Sequence, residues 1–339
     1  MKLIRHADLT GLNTFGVAAS AGSLFEIEAE EDLLTLPPLQ PGHDLVVSGG
    51  SNILFVSDVP GTVYLNRING LELLDTTAEH YLIEVGAGEN WHRLVMTAVD
   101  RGWHGLENLA LIPGLAGAAP IQNIGAYGVE LASVLESVTA WDWQCARWTV
   151  LTAAQCLLGY RDSLFRSAQP DRYLITSIRL RLTRHFNPQL DYSGLREQVE
   201  AGTATPKAAA VCTAIINLRR QKLPDPADQG NAGSFFKNPL LSQAALKDLL
   251  AQFPHLPHWQ TPQGIKVSAA SLIDHCGLKG LHYRGAAVSR QHALVLVNTG
   301  GASGAAIWQL ACQVRQRVED RFAIRLEPEP RIYGCAAGE

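Results

Sequence analysis

Pro113-Gly114-Leu115-Ala116-Gly117-Ala118-Ala119-Pro120-Ile121-Gln122-Asn123-Ile124-Gly125-Ala126-Tyr127-Gly128 packs four glycines and two prolines into sixteen residues. Glycine has no Cβ, so its backbone can approach a bound group closely and successive N–H groups can converge on a phosphate. A shorter stretch, Ser48-Gly49-Gly50-Ser51-Asn52, directly follows the strand-like run Leu45-Val46-Val47 and offers the same chemistry. Either stretch alone can be a tight turn, but a pair of such loops can embrace the pyrophosphate of a dinucleotide. Neither matches Gly-x-Gly-x-x-Gly or Gly-x-x-x-x-Gly-Lys-Ser/Thr, which argues against a Rossmann domain and a P-loop NTPase.

Around these loops the pattern is mixed. Ile53 to Val56, Thr62 to Leu65 and Tyr81 to Val85 read as strands, the last ending in Gly86-Ala87-Gly88. Asn90 then caps a helix whose Trp91, Leu94, Val95 and Ala98 share one face. Strict apolar/basic alternation marks Ile178-Arg179-Leu180-Arg181-Leu182 as a strand with a solvated arginine face. From about Thr205 helices take over. Val211, Cys212, Ile215 and Ile216 form one stripe, and Leu246, Leu249, Leu250 and Phe253 another. A long helix covers roughly Gly304 to Phe322, with Ile307, Leu310, Ala311, Val314 and Val318 inward. Leu223-Pro224-Asp225-Pro226 reads as a domain boundary. The fold class is α+β, strand-rich in its N-terminal half.

At 339 residues, with 47% hydrophobic and 18% charged residues, the chain can bury the cores of two or three domains. A net charge of −4 gives no general basic surface, so nucleic acid is not an expected partner. The six cysteines (Cys145, Cys156, Cys212, Cys276, Cys312, Cys335) include no Cys-x-x-Cys pair, which disfavours structural zinc and thioredoxin-type redox chemistry. No metal is expected, and several of the thiols sit in apolar settings suited to a reducing compartment. The N-terminus lacks the apolar core of a signal peptide. The longest apolar run, Leu109 to Ile121, is interrupted by Pro113, Gly114, Gly117 and Pro120 and cannot cross a membrane as a helix. The expectation is a soluble cytoplasmic protein, a monomer with no membrane partner.

Three further segments carry chemistry. Gly230-Asn231-Ala232-Gly233-Ser234-Phe235-Phe236-Lys237-Asn238-Pro239 exposes Ser234, Lys237 and Asn238 on a turn of glycine, asparagine and proline, anchored by two phenylalanines. An active-site loop and a well-packed structural turn both fit that description. In Gly159-Tyr160-Arg161-Asp162-Ser163, the Arg161 guanidinium offers a bidentate fork for a carboxylate, or a surface ion pair with Asp162. In Leu326-Glu327-Pro328-Glu329-Pro330-Arg331, prolines on both sides of Glu329 restrict its placement.

Together these segments resemble the UDP-N-acetylenolpyruvoylglucosamine reductases, from Asn13-Thr14-Phe15-Gly16 through Gly86-Ala87-Gly88-Glu89-Asn90-Trp91-His92 and Gly105-Leu106-Glu107-Asn108-Leu109-Ala110 to Glu329. The segment Leu190-Asp191-Tyr192-Ser193-Gly194-Leu195 resembles the substrate-closing tyrosine loop of the type I branch. The resemblance implies a three-domain flavoenzyme. It has a two-part FAD-binding domain of the vanillyl-alcohol-oxidase type (1–70 with 324–339, and 71–222) and a C-terminal α+β substrate-binding domain (223–323). Other flavin oxidases on the same cofactor fold, and a non-catalytic sugar-nucleotide-binding regulator, are the rival readings.

The resemblance further implies non-covalent FAD, with its pyrophosphate against Ser48, Gly49, Gly50, Ser51, Asn52, Pro113, Gly114, Gly117, Gln122, Asn123, Gly125, Tyr127 and Gly128. NADPH reduces the flavin, and hydride then passes to C3 of the enolpyruvyl sugar nucleotide while a proton is added at C2. By the same matching Arg161 steadies the substrate carboxylate, Ser234 is the proton donor and Glu329 is the third catalytic residue. Tyr192, Lys222 and Asn238 bind the UDP diphosphate, and Arg331 lies near flavin or substrate. Ser48 replaces a glycine, and Ala118 and Ala119 replace serines, of the relatives compared. His292 replaces a phosphate-contacting glutamine, so that contact is expected to tighten as pH falls through the ordinary histidine range.

Overall fold

A computed structural model of the chain describes residues 1–192, 194–201, 206–261 and 263–334. Thr205, Ser193 of the tyrosine segment and Cys335 lie outside the described residues. The chain divides into two compact units: Met1–Ala7, Ala21–Gly50 and Val59–Gln221 in the first, and Asp8–Ser20, Ser51–Asp58 and the residues from Lys222 onward in the second.

The first unit is built on a five-stranded antiparallel sheet in the order Arg147–Thr152, Leu135–Asp142, Tyr173–Thr183, His80–Gly86, Leu71–Thr76. The alternation at 178–182 sets its two faces. Ile178, Leu180 and Leu182 are fully buried, whereas Arg179 pairs with Glu84 at 2.6 Å and Arg181 with Glu136 at 2.8 Å. The arginine face is therefore an ion-paired one. A second sheet runs Lys2–Asp8, Ser20–Ile27, Val59–Asn66, Leu45–Val47, with Val59–Asn66 parallel to both of its neighbours.

Three helices complete this unit: α1 (Trp91–Asp100), α2 (Leu195–Glu200) and α3 (Ala208–Lys222, whose last residue opens the second unit). Asn90 caps α1 by accepting the Arg93 N–H at 2.9 Å, and Trp91, Leu94, Val95 and Ala98 are buried as their spacing predicts. They share one apolar core with Val211, Cys212 and Ile215 of α3 and the buried face of the sheet.

In the second unit, Leu240–Leu241, Gly264–Val267 and His258–Thr261 make one small antiparallel sheet, and His282–Tyr283, Ala286–Val288 and Leu296–Asn298 another. Helices α4 (Gln243–Gln252), α5 (Ala269–His275) and α6 (Gly304–Phe322) pack with them. Arg331–Tyr333 runs parallel to Ile53–Phe55, which draws a piece of the N-terminal sequence into this unit. Gly304 opens α6 so close to the Phe55 carbonyl that a Cβ has no room there.

Cys156 and Cys212 are buried, and burial pushes their thiols up to about 11 and about 12. Cys145 is exposed, Cys276 and Cys312 are half-buried, and none of these five described cysteines forms a disulfide. No described helix is long and apolar enough to cross a membrane, and no group of described His, Cys, Asp and Glu residues could hold a metal ion.

Candidate active site

The site residues fall in both units, and each group has its own scaffold. In the first unit the long glycine loop is not irregular throughout. Ala116–Gln122 forms a 3-10 helix with Pro120 inside it, and Asn123 ends it in the left-handed region at φ 43°. The N-terminal end of α1 ties down the entrance to the loop. Trp91 donates its backbone N–H to the Gly114 carbonyl at 3.1 Å, and Ala116 N–H reaches the Glu89 carbonyl at 2.8 Å. His92 Nδ1 accepts the Leu111 N–H at 3.1 Å, and burial, aided by Arg220 and Arg219, holds its ring below the usual histidine range.

The two glycine loops approach each other within this unit. A Cβ on Gly49 would stand 3.0 Å from the Gly114 Cα, so only glycine allows the approach without displacing backbone. Ser48 has its Oγ buried with no hydrogen-bond partner among the described residues. An orphaned hydroxyl beside converging glycine backbones is a donor that a phosphate-bearing ligand can satisfy.

Arg161 sits in a two-residue turn closed by Gly159 N–H to the Asp162 carbonyl at 3.0 Å, itself at φ 53°. Its Nη2 donates to the Gly125 carbonyl at 2.9 Å. Asp162 accepts from Ser163 N–H and Ser167 Oγ. Gln122 Oε1 accepts from Arg166 at 3.2 Å. Tyr127, at φ 49°, stacks edge-on with the partly exposed Tyr192, ring centroids 4.8 Å apart. Burial raises the Tyr127 hydroxyl above the usual tyrosine range, with the Arg219 charge opposing.

Arg219 is the functional candidate that sequence reasoning missed. Its Nε is buried without a partner among the described residues. Burial pulls its guanidinium below the ordinary arginine range, Tyr127 opposes this, and the charge of Arg161 adds to it. Two guanidinium groups and a tyrosine thus face one neighbourhood. The signal was available, because Arg219 lies four residues after Ile215 and continues the apolar stripe of α3.

In the second unit the Ser234 segment is held on both sides. Ser234 forms an antiparallel bridge with Val295, Phe235 N–H donates to the Leu294 carbonyl at 2.7 Å, and Glu329 N–H donates to the Phe235 carbonyl at 2.8 Å. Ser234 and Glu329 are thereby brought to neighbouring backbones. Asn52 joins them, donating Nδ2 to the Glu329 carbonyl at 3.2 Å and accepting the Arg331 N–H at 2.9 Å. Phe235 and Phe236 are buried, with Phe15 edge-on to Phe235 at 6.2 Å, so the anchoring role of the phenylalanines holds. Lys237 reaches Glu327 at 3.2 Å. Asn238 accepts the Ala269 N–H at 3.0 Å, which fixes its amide with the NH2 as the donor end.

His292 corrects one expectation. Its Nδ1 accepts the Leu294 N–H at 3.3 Å, which makes Nε2–H its donor. Burial lowers its pKa, and Lys222 and Lys279 lower it further. It is a neutral donor around pH 7, and its titration lies below the ordinary histidine range rather than within it.

The model of the FAD-binding domain family matches residues 43–147, and that of the UDP-N-acetylenolpyruvoylglucosamine reductase C-terminal domain matches residues 225–333. The chain is 46% identical to the UDP-N-acetylenolpyruvoylglucosamine reductase of Bordetella pertussis over 96% of this chain and 93% of that protein. It is 49% identical to that of Cupriavidus pinatubonensis over 94% and 96% respectively. The crystal structure of the Thermus caldophilus reductase matches with a TM-score of 0.66 and 26% identity, covering 98% of both chains. The cofactor is FAD, which the orphaned Ser48 hydroxyl and the paired glycine loops suit. This α+β chain therefore belongs to the UDP-N-acetylenolpyruvoylglucosamine reductase family.

Proposed function

We propose that the protein reduces the enolpyruvyl ether of UDP-N-acetylglucosamine to UDP-N-acetylmuramate for peptidoglycan synthesis, with NADPH as reductant. The observation that best supports this reading is the adjacency of Ser234 and Glu329 on hydrogen-bonded backbones of the second unit. The rival flavin oxidases have no need of that arrangement. Bound FAD supplies the hydride, received from NADPH and delivered to C3 of the enol ether.

As the hydride arrives, negative charge develops on C2 and the adjoining carboxylate. Arg161 holds that carboxylate through its planar fork and stabilises the charge, and Arg219 adds a second guanidinium to the same neighbourhood. Ser234 gives its proton to C2. A serine hydroxyl is a weak acid, matched to a carbon centre this basic. Glu329 orients or polarises the reacting group. Tyr192, Lys222, Asn238 and His292 bind the diphosphate, each offering a donor, and Arg331 serves the flavin or substrate region. The cofactor residues named from the sequence keep their roles in this proposal. So does the three-part division, with FAD served by 1–70 with 324–339 and by 71–222, and the sugar nucleotide by 223–323. We place the enzyme in the cytoplasm as a monomer, and thiols outside disulfides among the described residues suit a reducing compartment.

Purified protein should be yellow, lose the flavin band on anaerobic addition of NADPH, and regain it on addition of the enolpyruvyl sugar nucleotide. Recovery with oxygen but not with the sugar nucleotide would make it an oxidase and overturn the proposal.

A further inference from the structure

We propose that Asn123 is a positioning residue for Arg161, acting through the Gly159–Asp162 turn as well as lying in the cofactor loop. The inference rests on the reading of Arg161 given above.

Asn123 is buried, and its carboxamide is spent entirely on protein. Nδ2 donates to Glu130 Oε2 at 2.9 Å and to the Gly159 carbonyl at 3.0 Å, and Oδ1 accepts the Ala132 N–H at 2.9 Å. Two donors and an acceptor at fixed angles are what a primary amide provides and a carboxylate or hydroxyl does not. Asparagine also tolerates the left-handed backbone found there better than most residues.

Gly159 is one end of the turn that presents Arg161. Arg161 Nη2 is itself tied to the carbonyl of Gly125, whose strand partner is Glu130. Both the backbone and the head group of Arg161 are thus referred to the segment 123–130, and Asn123 is the joint between them. Ser163 Oγ to the Ile121 carbonyl at 2.7 Å steadies only the residues after the turn. Without the Asn123 amide the turn loses its cross-tie and Arg161 shifts relative to the carboxylate it must hold. A misplacement of about 1 Å costs roughly 10²-fold in rate.

Two substitutions separate this role from general damage. Asn123→Gly keeps the left-handed backbone and deletes the side chain. Asn123→Asp keeps the shape and the acceptor for Ala132 N–H, but sets a carboxylate oxygen against Glu130 and the Gly159 carbonyl. Each is measured for flavin content, flavin reduction by NADPH, and reoxidation by the enolpyruvyl sugar nucleotide, alone and combined with Arg161→Lys.

Reoxidation is expected to slow by roughly 10–10²-fold, and several-fold more than reduction by NADPH, with both rates taken per bound flavin because Asn123 lies in the cofactor loop. The combination with Arg161→Lys should add little to the loss from Arg161→Lys alone. Asn123→Asp should recover part of its rate as pH falls, because a protonated carboxyl regains one donor; Asn123→Gly should not. Equal loss in both half-reactions, additive losses, or flavin-free protein from both variants overturns the inference. If Arg161→Lys itself reoxidises normally, the reading of Arg161 has failed. If Arg161→Lys is slow while both Asn123 variants are fast, only the role of Asn123 has failed.

Discussion

Replacing Ser234 by alanine removes one oxygen from a backbone that stays tied on both sides. The Phe235–Leu294 and Glu329–Phe235 bonds are main-chain bonds, and the anchoring phenylalanines are untouched. The change in stability should therefore stay within about 0.5 kcal/mol, small against the roughly 5–15 kcal/mol of a folded domain. A general acid contributes about 10²–10⁴ in rate, equivalent at about 1.4 kcal/mol per tenfold to roughly 3–5 kcal/mol of barrier. The two effects differ several-fold in energy, so rapid-mixing absorbance of the flavin band can tell them apart. Reduction of Ser234→Ala by NADPH should proceed near the wild-type rate, because it needs no proton at the enolpyruvyl C2. Reoxidation by the sugar nucleotide should fall by two to four orders of magnitude, and Ser234→Cys should recover part of it. If alanine slows both half-reactions equally, Ser234 shapes the site and donates nothing.

Arg161→Lys should lower kcat more than it raises KM, since lysine keeps the charge but loses the fork; a change in KM alone would make Arg161 a ground-state binder. The KM for the sugar nucleotide should be flat from about pH 8 to 6.5 and tighten only below, as His292 gains its proton; His292→Gln should be flat throughout, and identical profiles would place His292 away from the phosphates. The same depressed pKa makes the unfolded chain take up the proton first. Wild type should therefore lose stability relative to His292→Gln below about pH 6.5 and match its pH dependence above it, checked by thermal melts. Acid precipitation should release all the yellow colour, because neither glycine loop offers a His or Cys for covalent attachment; flavin retained in the pellet would refute this.

Local patterns told the sequence reader most. The capped stripe of α1 and the alternation at 178–182 appear as read, because burial on one face of a single element enforces them. The joining of the C-terminal tail to the N-terminal part came only from the resemblance, because the pairing of Ile53–Phe55 with Arg331–Tyr333 leaves no mark on either segment alone. Pro120 reads as a breaker, yet it sits within a 3-10 turn. The left-handed backbones of Leu111, Tyr127 and Arg161 fall on residues that give no sign of them, whereas Asn123, like His6 and Asp171, is a residue type suited to that region. Arg219 was legible from its place four residues after Ile215 on the apolar stripe of α3.

The bond from Asn52 to Glu329 spans 277 residues of chain. A ribosome adding about 5–20 residues per second needs roughly 15–55 s to cover that distance. Until then the strand Ile53–Phe55 has no partner, and the Ser234 segment lacks one of its two flanks. The nascent protein can assemble its first sheets early, but the backbone ties that flank Ser234 are complete only once Glu329 has been made. A chain cut short before Glu329 is therefore expected to leave the Ser234 segment untied on that side, whatever flavin it gathers.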